Sequence, residues 1–299
     1  MKNIKNLYVS SSCFKKKNFD IYLKFFLKNN IRNIEFSGVH EYIDLTSLEK
    51  KILFYQKKKM KFIFHNYFPA IKEEFVLNLI SRKKKDYFLS EKLISNSIKL
   101  ASKLKIKNYG FHPGYLKECL IKDKKFFFIN KLRQYTESEK IFLKRLNLLI
   151  NKNRKYLKKV DLSLENLFPL PNEKKISLMN SYSEINRIFK NKSVKKNKIK
   201  LILDLGHLEI TTNLLSLNKE EELSNILKKY KKVINEVHLS GNDSVNDLHL
   251  RVKNNPWQIE KLKILKKCLN KNTIYVIESR NLTINQLKED YKLISKLIK

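Results

Sequence analysis

KLILDLGHL, residues 200–208, is the stretch on which the reading of the fold turns. Leu201, Ile202 and Leu203 follow one another without polar alternation, the pattern of a strand buried on both faces in a helix-covered parallel sheet. The run stops on Asp204, and Gly206 and His207 follow at once. Seven more short β-rich runs lie on either side of it: LYVS (7–10), NIEF (33–36), KFIF (61–64), YGF (109–111), VDLSLE (160–165), INEVHL (234–239) and TIYVIE (273–278). Between them lie segments with apolar residues at helical spacing, such as FDIYLKFFLKNN, LISNSIKLASKLK and TINQLKEDYKLISKLI. Repeated βα units with eight strands predict an α/β protein made of a single (β/α)8 TIM barrel, one domain over residues 1–299. Two connections are long, from about Tyr67 to Ser90 and from about Gly114 to Asn130, and long loops at a barrel mouth usually shape a site.

Composition agrees with one folded unit. A hydrophobic content of 42% supports a sizeable core and excludes wholesale disorder. The formal charge of +35 would point to polyanions, but the basic residues are nearly all lysines and are spread along the whole chain, as in YQKKKMKF, SRKKKDY and KNKSVKKNKIK. Such runs read chiefly as solvated faces. Cys13, Cys119 and Cys268 are odd in number and far apart, which fits a reducing compartment and no disulfide framework. No segment has the apolar length of a signal-peptide core or a membrane span, so the expectation is a cytoplasmic protein without membrane contact.

In barrels the chemistry sits where strands run into βα loops, and here those positions are polar. FIFHNYFPA ends on His65, YGFHPGY on His112, SLENL on Glu165, LILDLGHL on Asp204 and His207, EVHLSGND on His238, and YVIESR on Glu278, while DLHLR supplies Asp247 and His249. Five of the six histidines thus fall at one end of the expected barrel with four carboxylates. Converging carboxylates without a Lys or Arg between them repel in a low-dielectric pocket, and a divalent cation is the usual remedy. Imidazole with carboxylate suits Zn2+, Mn2+ or Co2+. His40 reads as an ordinary loop residue. Glu35 reads either as a ligand for a substrate hydroxyl or as a structural ion pair, and Tyr67 and Trp257 as lid aromatics or core.

On SLENL, LDLGHL, EVHLS and ESR the sequence resembles the xylose-isomerase-like TIM-barrel superfamily, which holds sugar and sugar-phosphate isomerases and epimerases as well as endonuclease IV. The resemblance runs from the second strand to the eighth. For the isomerase and epimerase branch it implies one divalent metal, Mn2+ or Zn2+, held by Glu165, Asp204, His238 and Glu278, with His207 and Arg251 touching the substrate. For the endonuclease IV branch it implies two or three zinc ions, with His65, His112, His207, Asp247 and His249 as additional ligands and DNA as substrate. NIEFSG looks like the first branch, and the start lacks the His- and Gly-rich first strand of the second. The leading expectation is therefore a metal-dependent isomerase or epimerase of a sugar or sugar phosphate. It would work through a metal-stabilised enediolate, with Glu165 and Glu278 as catalytic base and acid. The alternative is a multinuclear zinc phosphodiesterase acting at abasic DNA.

Overall fold

The computed structural model describes residues 4–14, 18–38, 41–122, 125–173 and 175–299, so His40 lies outside the described residues. Eight parallel strands close into a barrel: β1 (Leu7–Ser10), β2 (Asn33–Phe36), β3 (Lys61–His65), β4 (Asn108–Phe111), β7 (Asp161–Glu165), β8 (Lys200–Asp204), β9 (Ile234–Leu239) and β10 (Ile274–Ile277). β10 pairs with β1 through Leu7 opposite Tyr275, which closes the ring. Helices α1 (Phe19–Lys28), α2 (Leu45–Lys57), α3 (Lys84–Lys103), α4 (Tyr135–Leu157), α5 (Tyr182–Lys190), α6 (Lys192–Lys196), α7 (Leu205–Leu214), α8 (Lys219–Tyr230), α9 (Pro256–Cys268) and α10 (Ile284–Leu297) surround it. This is the (β/α)8 architecture that the eight apolar runs predicted. None of the described helices is long and apolar enough to cross a membrane.

Local chemistry explains several boundaries. Asp44 caps α2 by accepting the backbone N–H of Ser47, and Thr283 with Gln286 forms a capping box at α10. Pro256 stands at the first turn of α9, where its missing N–H costs nothing. The long connection after Gly114 is not loop throughout. It folds into an antiparallel hairpin of β5 (Glu118–Lys122) and β6 (Lys125–Ile129), since ECLIK and KFFFI are both β-prone.

Alternation along the strands separates two apolar layers. Outward residues pack under the helices: Phe36 stacks on Phe62 at 4.9 Å and on Phe68 at 4.5 Å between ring centroids. Inside the barrel Tyr8, Ile63 and Val276 form a small cluster of their own. Phe36→Ala should therefore cost about 3–5 kcal/mol, the usual cost of emptying a buried aromatic site, and chemical unfolding would measure it.

Candidate metal centre

The inward positions toward the strand ends carry the ionisable groups. In INEVHL the two-residue period puts Glu236 and His238 on one face, and both are buried. Asp204 closes β8 and caps α7, its Oδ1 accepting the His207 backbone N–H at 2.7 Å. Asn166, directly after Glu165, braces the next strand end: its Oδ1 accepts the Asp204 N–H at 2.7 Å and its Nδ2 donates to the Asp204 carbonyl at 3.0 Å. Asn66 ties β3 to β4 in the same way, accepting the His112 N–H at 2.9 Å from a left-handed backbone (φ 43°) that Asn tolerates better than most residues. Gly110 leaves room inside the barrel, because a Cβ there would fall 2.1 Å from Ile202 Cδ1.

Three groups of side chains interlock at this mouth. In the first, Glu165, Asp204, His238 and Glu278 each offer a ligand atom within 4.8 Å of the others. His238 Nδ1 lies 3.1 Å from Glu278 Oε2, 3.4 Å from Glu165 Oε1 and 3.9 Å from Asp204 Oδ2. In the second, Glu165 Oε2 is 2.6 Å from His65 Nε2 and 3.1 Å from His112 Nε2. In the third, Asp247 Oδ2 is 2.9 Å from His249 Nε2, and Asp247 Oδ1 is 3.9 Å from His207 Nε2. His112 and Asp247 have the most exposed side chains, at 20% and 19%, so they line the way in.

The chemistry of this donor set fits a divalent cation. His238 Nδ1, Glu165 Oε1 and Asp204 Oδ2 are buried, face one another and have no hydrogen-bond partner. The other nitrogen of His238 is held at 2.8 Å from Glu236 Oε1, which orients the ring so that Nδ1 faces the cluster. His207 is set likewise, Nδ1 donating to the Asn166 carbonyl at 2.8 Å so that Nε2 is left toward Asp247.

Electrostatics follow from burial and mutual proximity. Burial would raise Glu165, but His65, His112 and His238 outweigh it and hold the carboxyl well below its ordinary value. Glu278 is likewise held low against burial by His238, His65 and His249. Asp204 is pushed up to about 6 by burial, only partly offset by His207. Burial works against a charged His65, yet Glu165 and Glu35 raise it to about 9. Two of the four first-group carboxyl and imidazole members are thus firmly ionised carboxylates, and their balancing positive charge is on histidines.

Nine of the ten site residues named from sequence converge here. The exception is Arg251. Its guanidinium donates to Asp290 at 2.7 Å and Glu289 at 3.0 Å and to the Gln286 carbonyl at 3.3 Å, all on α10, because two nearby carboxylates outcompete an open mouth. Glu35 is fully buried, 3.0 Å from His238 Nε2, and with His65, His238 and Glu278 it forms a further group whose ligand atoms lie within 4.8 Å of one another. Burial pushes its carboxyl up to about 8 despite His238 and His65. Tyr67 anchors its own long loop by accepting the Leu77 N–H at 2.8 Å, and Trp257 donates to Glu220 on α8 at 2.7 Å. Sequence reasoning missed Glu236 and Asn166; the period-two spacing of Glu236 from His238 was the available signal.

No family model matches the chain, and no curated protein matches it in sequence. Solved structures do. A D-tagatose 3-epimerase-like protein superposes with a TM-score of 0.71 at 19% identity, covering 98% of this chain and 97% of its own. A D-psicose 3-epimerase crystallised with D-fructose gives 0.67 at 15% identity over 98% and 99%. The IolI protein with a bound zinc atom gives 0.67 at 16% identity over 98% and 99%. Near-complete coverage of both chains in each case, together with the closed parallel barrel, shows that this chain shares the (β/α)8 barrel fold of these proteins.

Proposed function

We propose that the protein is a divalent-metal-dependent isomerase or epimerase of a sugar or sugar phosphate. The observation that carries this reading is the convergence of Glu165, Asp204, His238 and Glu278 from four different strand ends within ligand distance of one another. Those four residues would hold the cation. When bound, it supplies positive charge that acidifies a C–H beside a sugar carbonyl. Glu165 and Glu278 flank His238 on either side, at 3.4 and 3.1 Å from its Nδ1, so one can accept the substrate proton while the other returns it. Both are held ionised, so either would accept the substrate proton, and the partner that returns one would first take it up from solvent, the route by which a solvent label enters the product. His207, fixed by the Asn166 carbonyl, presents Nε2 to a substrate oxygen, while Arg251 is engaged by Asp290 of α10. The names of the structural relatives support a ketose as the substrate. Solvent deuterium should appear at the carbon next to the carbonyl of the product when ketoses and their phosphates are screened in D2O. Product formed without any such label would overturn the proton-transfer roles.

A second reading is favoured by one observation: the groups around His65 with His112, and around Asp247 with His207 and His249, adjoin the first group and could hold further ions. In that case these residues would hold the additional ions, which would supply a metal-activated water for cleaving a phosphodiester, with abasic DNA as the candidate substrate. The lysines give a separate check. On the isomerase reading duplex DNA binds weakly, without preference for abasic sites, and fluorescence anisotropy should show binding that falls steeply with added salt. Salt-resistant, abasic-selective binding would favour the phosphodiesterase.

A further inference from the structure

The opposite end of the barrel holds a cavity of about 740 Å3 built from the first residues of the strands. Tyr8 of β1, Lys61 of β3, Asn108 of β4, Asp161 of β7, Lys200 of β8, Asn235 of β9 and Ile274 of β10 all line it. The apolar cluster of Tyr8, Ile63 and Val276 lies inside the barrel at this end, so the cavity is separate from the histidines and carboxylates of the mouth. In this architecture that face usually serves stability, and polar groups left without partners there call for an explanation.

Such groups are present. Tyr8 and Asn108 are each only 7% exposed, yet among the described residues nothing hydrogen-bonds the Tyr8 hydroxyl or the Asn108 side chain, and both line the cavity. Asn235 accepts from Ser163 at 3.1 Å through Oδ1, while its Nδ2 is buried with no partner. Around them stand Lys5, Lys61, Lys105, Lys107, Lys200 and Lys232, none of which makes an ion pair or a side-chain hydrogen bond among the described residues. Asp161 is the single carboxylate in the lining among the described residues. Ammonium groups, a phenol and an amide nitrogen are donors, and six like charges around one basin repel each other until an anion enters. The volume falls within the roughly 300–1,000 Å3 usual for small-molecule sites, well above the size of one orthophosphate. Charges spread around the whole rim suit several anionic groups on one molecule.

We infer that this basal cavity binds a small molecule carrying two or more phosphate groups. Inorganic pyrophosphate is a suitable probe, titrated by calorimetry into the protein as isolated at physiological ionic strength. Hydrogen–deuterium exchange then shows where it sits. Protection should appear at the strand beginnings around Lys61–Ile63, Lys105–Asn108 and Asn270–Ile274. The pair Lys107→Glu with Lys200→Glu should weaken binding by an order of magnitude or more, and Asn108→Ala should weaken it severalfold. Reversing the exposed pair Lys84 and Lys85 on α3 to Glu should leave affinity within twofold. Circular dichroism confirms that each variant is folded, and Asn108→Ala keeps the test open if the double reversal is not. Absence of binding, equal losses in both reversal pairs, or protection confined to the loops after the strands would overturn the inference.

Discussion

Glu165→Gln is expected to lower turnover by about 10²–10⁴-fold, the range for losing a positioned general base, while far-UV circular dichroism stays close to that of the parent. The size follows from its place at the join of two ligand groups. Its Oε2 meets His65 at 2.6 Å and His112 at 3.1 Å, and its Oε1 faces His238 at 3.4 Å and His207 at 3.5 Å with no hydrogen bond. An amide in that position presents a donor where a cation or a substrate proton has to be met. It also removes the negative charge that helps to hold His65 and His238 protonated. Because the change weakens metal binding too, rate and metal content need to be measured on the same samples. Glu278→Gln should behave alike, since Glu278 stands on the other side of His238. Near-normal rates in either variant would remove the acid and base roles.

His238→Gln is expected to lose the bound cation, with affinity falling by more than the roughly 10–100-fold typical of losing an outer partner. His238 is central to the first ligand group, and its buried Nδ1 is aimed at three carboxylates with no other partner. The contrasting variant replaces His65 and His112 with Gln together. On the isomerase reading that double change leaves the tightly held cation in place and impairs substrate handling alone. A multinuclear hydrolase would lose an ion with it, because those two residues complete a separate group with Glu165. Competitive titration with a chromophoric chelator separates the outcomes. Retention in His238→Gln, or loss in the double variant, would contradict the assignment.

The fold was legible because each barrel strand is a short apolar run ending in a polar residue, and eight such runs could be counted. The site was legible for the same reason: His65, Glu165, Asp204, His238 and Glu278 occupy the points where apolar sequence stops. Depth inside the barrel was not legible. Glu35 sits inside the run NIEF, yet it is fully buried and joins His65, His238 and Glu278 within 4.8 Å, since the level of a residue depends on how strands are staggered around the ring. Arg251 follows an informative motif, but its partners are 38 and 39 residues away on α10, beyond any local pattern. The β5–β6 hairpin was hidden inside a connection whose length alone had suggested a loop. The basal cavity gave no local signal because it is assembled from short pieces at the starts of seven strands and from the loops before them.

Elemental analysis of protein purified without chelators tests the central claim most directly. The account predicts one tightly bound divalent cation per chain, held by Glu165, Asp204, His238 and Glu278. A chain that binds none under any loading condition would contradict the metal centre, and two or three tightly bound zinc ions per chain would contradict the isomerase in favour of the phosphodiesterase.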